Sequence, residues 1–166
     1  MSIISFLDYI SLEKKCSQHT VKAYKANLLA FESFLKSQND EENIERVSYG
    51  EIRAWIVNLV QSGNSSRTVN RKVSALRSFY KFQLRVGNIK VSPLKEHKVL
   101  KTDTKVGLPF SKEEMKNLFE FDIFPDTYVG SVSKTLIQLL YFTGIRRSEL
   151  IDLKVQDIDF STRLLK

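Results

Sequence analysis

The stretch "SRTVNRKVSALRSFYKFQLRV", Ser66 to Val86, carries two patterns at once. Val69, Val73, Leu76, Tyr80 and Leu84, widened by Phe79, recur at the three- and four-residue spacing of a single helical face. The spacing predicts a helix with a buried stripe. Arg67, Arg71, Ser74, Ser78, Lys81 and Arg85 recur at the same spacing on a different face. A phosphate-facing helix needs both residue types of that second face. Cations displace counterions, and short hydroxyls bond backbone oxygens without bulk.

The charge around this helix has one sign. No Asp or Glu lies between Glu51 and Glu96, while nine Lys or Arg do. Residues 1–101 carry a net charge of +8 and residues 102–166 a net of −1. A solvated helix face normally mixes signs, so the run points to a polyanionic partner, with a merely soluble basic surface as the alternative. A hydrophobic share of 42% and a charged share of 27% exclude a disordered chain. The single cysteine, Cys16, rules out an intrachain disulfide and fits a reducing, cytoplasmic setting. His19 and His97 are isolated, so no metal site and no cofactor are expected. "MSIISFLDYI" lacks a basic start and is too short to span a bilayer, so neither a signal peptide nor a membrane-spanning helix is expected.

Three further helices are predicted before this one. The first runs from about Ser2 to Lys14, with Ile3, Phe6, Leu7 and Ile10 inward, and "CSQHT" breaks it. The second, about His19 to Ser37, has Ser17 as N-cap and an apolar stripe of Tyr24, Leu28, Phe31 and Leu35. The third starts at a capping box, Ser48 with Glu51, stapled by Val47 and Ile52, and runs through Trp55, Ile56, Leu59 and Val60. After the fourth, lysines with Pro93, Gly107 and Pro109 mark an exposed linker, either a plain tether or a segment lying against a duplex. "PFSKEEM" is a second capping box, Ser111 with Glu114, stapled by Phe110 and Met115. "FDIFPDTYVG" reads as loop and Ser131 to Phe142 as a long apolar helix. A short helix with Leu150 and Leu153 inward follows, then a turn between two short strands, the second cut off at the chain end.

Between those helices lies "YFTGIRRSEL", Tyr141 to Leu150. Gly144 can take a positive φ and redirect the chain. Arg146 then stands near a helix start, where the dipole disfavours a cation. A guanidinium beside helix-start N–H groups suits a phosphoryl group, and Glu149 is placed to orient it. The alternative is a pair of surface arginines with Glu149 as a surface partner.

"LLYFTGIRRSELIDLKVQDID" resembles the first catalytic box of the tyrosine recombinases, the phage-integrase family. "FLDYISLEKKCSQHTVKAYKANL" and "SSRTVNRKVSALRSFYKFQLRVGNIKVSPL" resemble the opening and the last helix of the core-binding domain in its Xer-type members. The resemblance implies a mainly α chain in three parts: a four-helix SAM-like core-binding domain (1–91), a basic linker (92–109) and the truncated beginning of an α+β catalytic domain (110–166). It implies cleavage and rejoining of double-stranded DNA through a 3′-phosphotyrosine, without metal or nucleotide, by a homo- or heterotetramer of recombinases clamped on the duplex. Arg146 aligns with the first catalytic arginine and Glu149 with its acidic support, while Arg147 falls at a variable position. The family's lysine, His-x-x-Arg box and nucleophilic tyrosine are expected past Lys166, so the chain as it stands is expected to bind DNA without cutting it. Tyr141, on the helix leading into the box, is expected in the core. By the same resemblance the second and fourth helices face DNA. The candidates are Ser17, His19, Thr20, Tyr24 and Lys25 from one, and Arg67, Asn70, Arg71, Lys72, Ser74, Arg77 and Lys81 from the other. Tyr24 fits the core equally well, and Asn70 has the groups to read an adenine edge. A mobile-element integrase, a non-enzymatic helical DNA-binding protein and a helical module for an acidic protein partner remain as alternatives.

Overall fold

In the computed structural model, residues 3–38, 43–103, 107–121 and 123–165 are described, and the chain divides into two compact units, Met1–Thr104 and Lys105–Lys166. Helices α1 (Ile3–Asp8), α2 (Gln18–Gln38), α3 (Tyr49–Gln61) and α4 (Ser66–Arg85) build the first unit. The predicted first helix continues past α1 as a wider, π-type turn over Tyr9–Glu13; its Ser2 lies outside the described residues. The chain leaves that turn at Lys15, whose φ of 50° ends the helix before the predicted break.

The apolar spacing of these helices is cashed out in one core. Phe6, Leu28, Phe31, Leu35, Ile52, Val69, Leu76, Phe79 and Tyr80 are all at most 1% exposed. Each such side chain contributes about 1.5–3 kcal/mol by leaving water. The Phe6 ring meets Phe79 edge-on at 5.6 Å and Phe31 meets Trp55 at 4.9 Å, which ties α1 to α4 and α2 to α3. Tyr80 donates its buried hydroxyl to the Ile44 carbonyl at 2.7 Å, and burial pushes that hydroxyl's pKa far above its usual range. Two residues of this unit expected in the core fall outside it. Leu84 is 38% exposed and Val60 49%. In the last turn of α4 the buried face rotates toward the first helix, where Phe82 packs on Tyr9 and Phe6, so Phe82 and Gln83 are buried in place of Leu84.

The segment after α4, expected as an exposed linker, is packed in its first part. Leu94 is 3% exposed, and Ile89 and Leu100 rest against the same core. These apolar residues are too widely spaced to read as a helix or strand stripe, which is why the segment looks structureless in sequence.

The second unit comprises α5 (Lys112–Glu120), α6 (Tyr128–Thr143), α7 (Arg147–Asp152), a 3-10 turn (Val155–Asp157) and a hairpin of β1 (Ile158–Asp159) and β2 (Leu164–Leu165). The strands are antiparallel, with Ile158 opposite Leu165. In their turn, Asp159 Oδ1 accepts from the Ser161 hydroxyl at 2.6 Å and from the Ser161 and Thr162 N–H groups; these bonds hold its carboxyl down at about 2. The Ser111–Glu114 box forms as expected, but the staple does not: Met115 is buried while Phe110 is 79% exposed. Helix α6 starts three residues before the predicted Ser131, capped by Thr127, whose hydroxyl accepts from Gly130 N–H at 3.1 Å. Gly130 is the last residue of the stretch expected as loop. Its hydrogen lies against the Pro125 carbonyl, and a Cβ there would stand 1.9 Å from that oxygen. Tyr141, expected in the core, is 44% exposed, with ring contacts to Phe119 and Phe142.

Among the described residues, no helix is long and apolar enough to cross a membrane, and no cluster of His, Cys, Asp and Glu is placed to hold a metal ion.

Candidate nucleic-acid interface and arginine box

Helices α2 and α4 lie side by side and leave a groove of about 360 Å³ lined by His19, Thr20 and Tyr24 from α2 and Arg71 and Ser74 from α4. Ser17 fixes the start of α2: its Oγ accepts from Thr20 N–H at 3.3 Å and lies 2.9 Å from the Thr20 hydroxyl. Tyr24 packs on the core on one side and lines the groove on the other. Its ring meets Phe6 edge-on at 5.8 Å, and its hydroxyl crosses the groove to Ser78 Oγ at 3.3 Å. Beyond Tyr24 the groove widens into a hollow of about 560 Å³ bounded by Lys14, Ser78, Lys81 and Arg85. There the Arg85 guanidinium donates to the Tyr9 hydroxyl at 2.7 Å and sits 5.4 Å from that ring's centre. No carboxylate lines either hollow among the described residues. The surface thus offers cations, hydroxyls and aromatic edges, the chemistry that holds a phosphate backbone.

Lys25, Arg67, Asn70, Lys72 and Arg77 line neither of these hollows. Lys25 borders a different hollow, with Asp8, Glu32 and Glu45. Arg67 is exposed on the first turn of α4, and Lys72 is half-buried. Asn70 is turned to the protein: its Nδ2 donates to the Leu100 carbonyl at 2.9 Å and its Oδ1 accepts from Leu100 N–H at 3.0 Å. That amide is engaged by protein backbone rather than presented to a base edge. Arg77 reaches the His97 carbonyl at 3.5 Å. Ser74 donates to the Asn70 carbonyl at 2.9 Å and must rotate to donate to a phosphate. Lys14 and Arg85 were not among the candidates from sequence. Arg85 belongs to the basic face of α4 and was legible there; Lys14 reaches the groove only through the wide turn after α1.

In the second unit, the turn after α6 is built by two residues. Thr143 Oγ1 donates to the Leu139 carbonyl at 2.5 Å and accepts from Ile145 N–H at 3.2 Å. Gly144 follows with φ of 67°, a left-handed conformation that costs a side-chain-bearing residue about 1–2 kcal/mol. The turn sets Arg146 as the N-cap of α7, with an extended backbone (φ −72°, ψ 149°). Glu149 then takes both ends of the arginine: Oε2 accepts from the Arg146 backbone N–H and Oε1 from its Nη1, each at 2.9 Å. The backbone bond, then the side-chain bond, holds the Glu149 carboxyl below its usual pKa, so the carboxylate persists as the partner. It also offsets the helix dipole that disfavours a cation here. The Arg146 side chain is 81% exposed, which leaves its outer edge open to an anion. Arg147, the first residue of α7, is exposed.

Comparison with known proteins follows the same division. The family model described as "Phage integrase, N-terminal SAM-like domain" matches residues 3–87, and that described as "Phage integrase family" matches residues 110–166. The chain belongs to the phage integrase family, the tyrosine recombinases. Among curated proteins it is similar to tyrosine recombinase XerC of Oceanobacillus iheyensis, 38% identical over 159 residues, covering 96% of this chain and 52% of that protein. The Bacillus subtilis XerC is 32% identical over 154 residues, covering 93% and 50%. The chain spans about half the length of the curated relatives it matches. Among solved structures, the Tn1549 transposon integrase in complex with transposon right end DNA aligns with a TM-score of 0.73 at 20% identity, over 99% of this chain and 51% of that one. The same integrase with circular intermediate DNA gives 0.69 at 21%, over 99% and 53%. These likenesses establish the mainly α fold.

Proposed function

We propose that this chain supplies the DNA-binding unit and the first arginine of a site-specific tyrosine recombinase. In the reaction, a tyrosine hydroxyl gives up its proton and attacks a DNA phosphorus; the O–P bond to the tyrosine forms, the P–O bond to the 5′ oxygen breaks, and that oxygen takes up a proton. Reversal by another strand's 5′ hydroxyl rejoins the DNA. Arg146 stabilises the charge that develops on the phosphoryl oxygens, and Glu149 fixes its direction. No residue of this chain is assigned as the nucleophile, the second arginine or the proton-transferring lysine or histidine. This chain by itself binds duplex DNA and leaves it uncut. The greater similarity to XerC proteins favours an Xer-like role in resolving chromosome dimers, in an assembly of several recombinases, over integration of a mobile element.

The doubly held Arg146, placed after a Thr-Gly turn, is the observation that carries this reading. The α2–α4 groove supports it from the binding side. The test is a pair of assays. The 166-residue chain should bind duplex with an affinity that falls steeply with salt, and Arg71→Ala should reduce the log–log slope by about 0.9. The full-length protein should form a covalent adduct with duplex that yields phosphotyrosine on digestion. A flat salt response sinks the DNA reading; binding without any adduct from the full-length protein leaves a non-enzymatic DNA-binding protein.

A further inference from the structure

The segment that follows α4 is a strap with an address. Arg77 donates to the His97 carbonyl and Asn70 holds both backbone groups of Leu100. The Tyr49 hydroxyl adds a contact to His97 Nδ1 at 3.3 Å. Asn70 and Arg77 are two helical turns apart, about 10 Å at 1.5 Å per residue. The three-residue step from His97 to Leu100 spans about 9–10 Å when extended, at 3.1–3.3 Å each. The two lengths match, so the strap runs antiparallel to α4, its later residues heading toward the helix start. Lys98 and Lys101, both exposed, each follow one of the held residues. Lys101 comes within a residue's reach of Asn70, whose neighbours on α4 are Arg67, Arg71 and Ser74. Glu96 and Asp103 are the carboxylates of the same segment, and the two lysines lie between them.

We propose that Asn70 is a positioning residue that clasps this strap to α4, so that Lys98 and Lys101 join Arg67 and Arg71 in one surface for a duplex phosphate backbone. The proposal rests on the DNA-binding reading of α4 and adds a partner element that the helix alone does not supply. Asn70 serves the partner without touching it. A free tether would carry the same lysines but would lose entropy on binding; a clasped one presents them already ordered.

The test measures duplex affinity across a salt series for the 166-residue chain and its variants. Removing both lysines (Lys98→Ala with Lys101→Ala) should lower the log–log slope by about 0.9 per lysine. Asn70→Ala removes no charge, yet it should also lower the slope and should speed amide exchange at Leu100. Adding it to the lysine pair should then cost nothing further. Leu100→Pro deletes the N–H that Asn70 accepts and leaves α4 intact, so it should reproduce Asn70→Ala if that variant folds poorly. If Arg71→Ala lowers the slope and the lysine pair does not, the strap lies outside the interface and the proposal fails while the DNA reading stands. An unchanged slope in both Asn70→Ala and Leu100→Pro overturns the clasp. No response in any variant, Arg71→Ala included, overturns the DNA reading itself.

Discussion

Glu149 grips Arg146 at the backbone and at the guanidinium with the two oxygens of one carboxylate. The helix-start bond and the aim of the arginine are therefore one interaction. Glu149→Gln keeps an acceptor for only one of the two. On the proposed function, it should slow single-turnover strand cleavage by the full-length protein roughly 10- to 100-fold, as is usual for groups that orient a functional one, and leave duplex affinity unchanged.

The same grip has a pH signature. The Arg146 bonds lower the Glu149 pKa from its ordinary 4.5, so the folded state binds its proton less readily than the unfolded. The contribution is whole above the ordinary value and is lost as pH falls through the lowered one. Amide protection at the start of α7, measured against the intrinsic exchange rate, should fall across that acid window in the parent and not in Glu149→Gln.

His97 gives the first unit a titration of its own. Burial, then the Arg77 charge, lowers its pKa from 6.5. Protonation therefore favours the undocked strap: docking is full above about 6.5 and weakens as pH falls below it. Protection of the Leu100 amide, measured against its intrinsic exchange rate, should fall below that value, and His97→Phe should remove the dependence.

Two glycines of the second unit should fail for different reasons. In Gly130→Ala the new Cβ meets the Pro125 carbonyl at 1.9 Å, so the cost is an overpacked contact of about 1–3 kcal/mol. In Gly144→Ala nothing lies within 4 Å of the new atom, and the cost is the left-handed backbone, about 1–2 kcal/mol. Urea unfolding should show both losses. Only Gly144→Ala should disturb cleavage beyond its effect on stability, because it redirects the chain that carries Arg146.

Tyr24 separates packing from binding. Tyr24→Phe removes the bond to Ser78 and should cost about 1 kcal/mol or less. Tyr24→Ala strips the ring from Phe6 and should cost about 2 kcal/mol in thermal unfolding.

What could be read from the sequence was mostly local. The caps at Ser17, Ser48 and Ser111 and the Arg146–Glu149 pair join residues three apart, and helical geometry alone brings them together. The first three turns of the α4 stripe were legible for the same reason. The Asn70–Leu100 clasp was not, because it closes a loop of 30 residues and its strap has no periodic pattern. Leu84 falls outside the core because the last turn of α4 answers to Phe6 and Tyr9, three helices back in the chain. Gly130 looked like a loop residue because the close approach of Pro125 is invisible without the fold. Lys25 shares a helix with Tyr24 but faces a different hollow, and the side of α2 that meets α4 decides which of them lines the groove.

The most direct measurement is Arg146→Ala in the full-length protein, with strand cleavage in a single turnover and duplex binding measured on the same DNA. Cleavage should fall about 10²- to 10³-fold, the loss typical of one group that stabilises transition-state charge, with binding little changed. Equal losses in binding and cleavage would mean that Arg146 is a DNA anchor or a structural cap, and the account of the arginine box would be wrong.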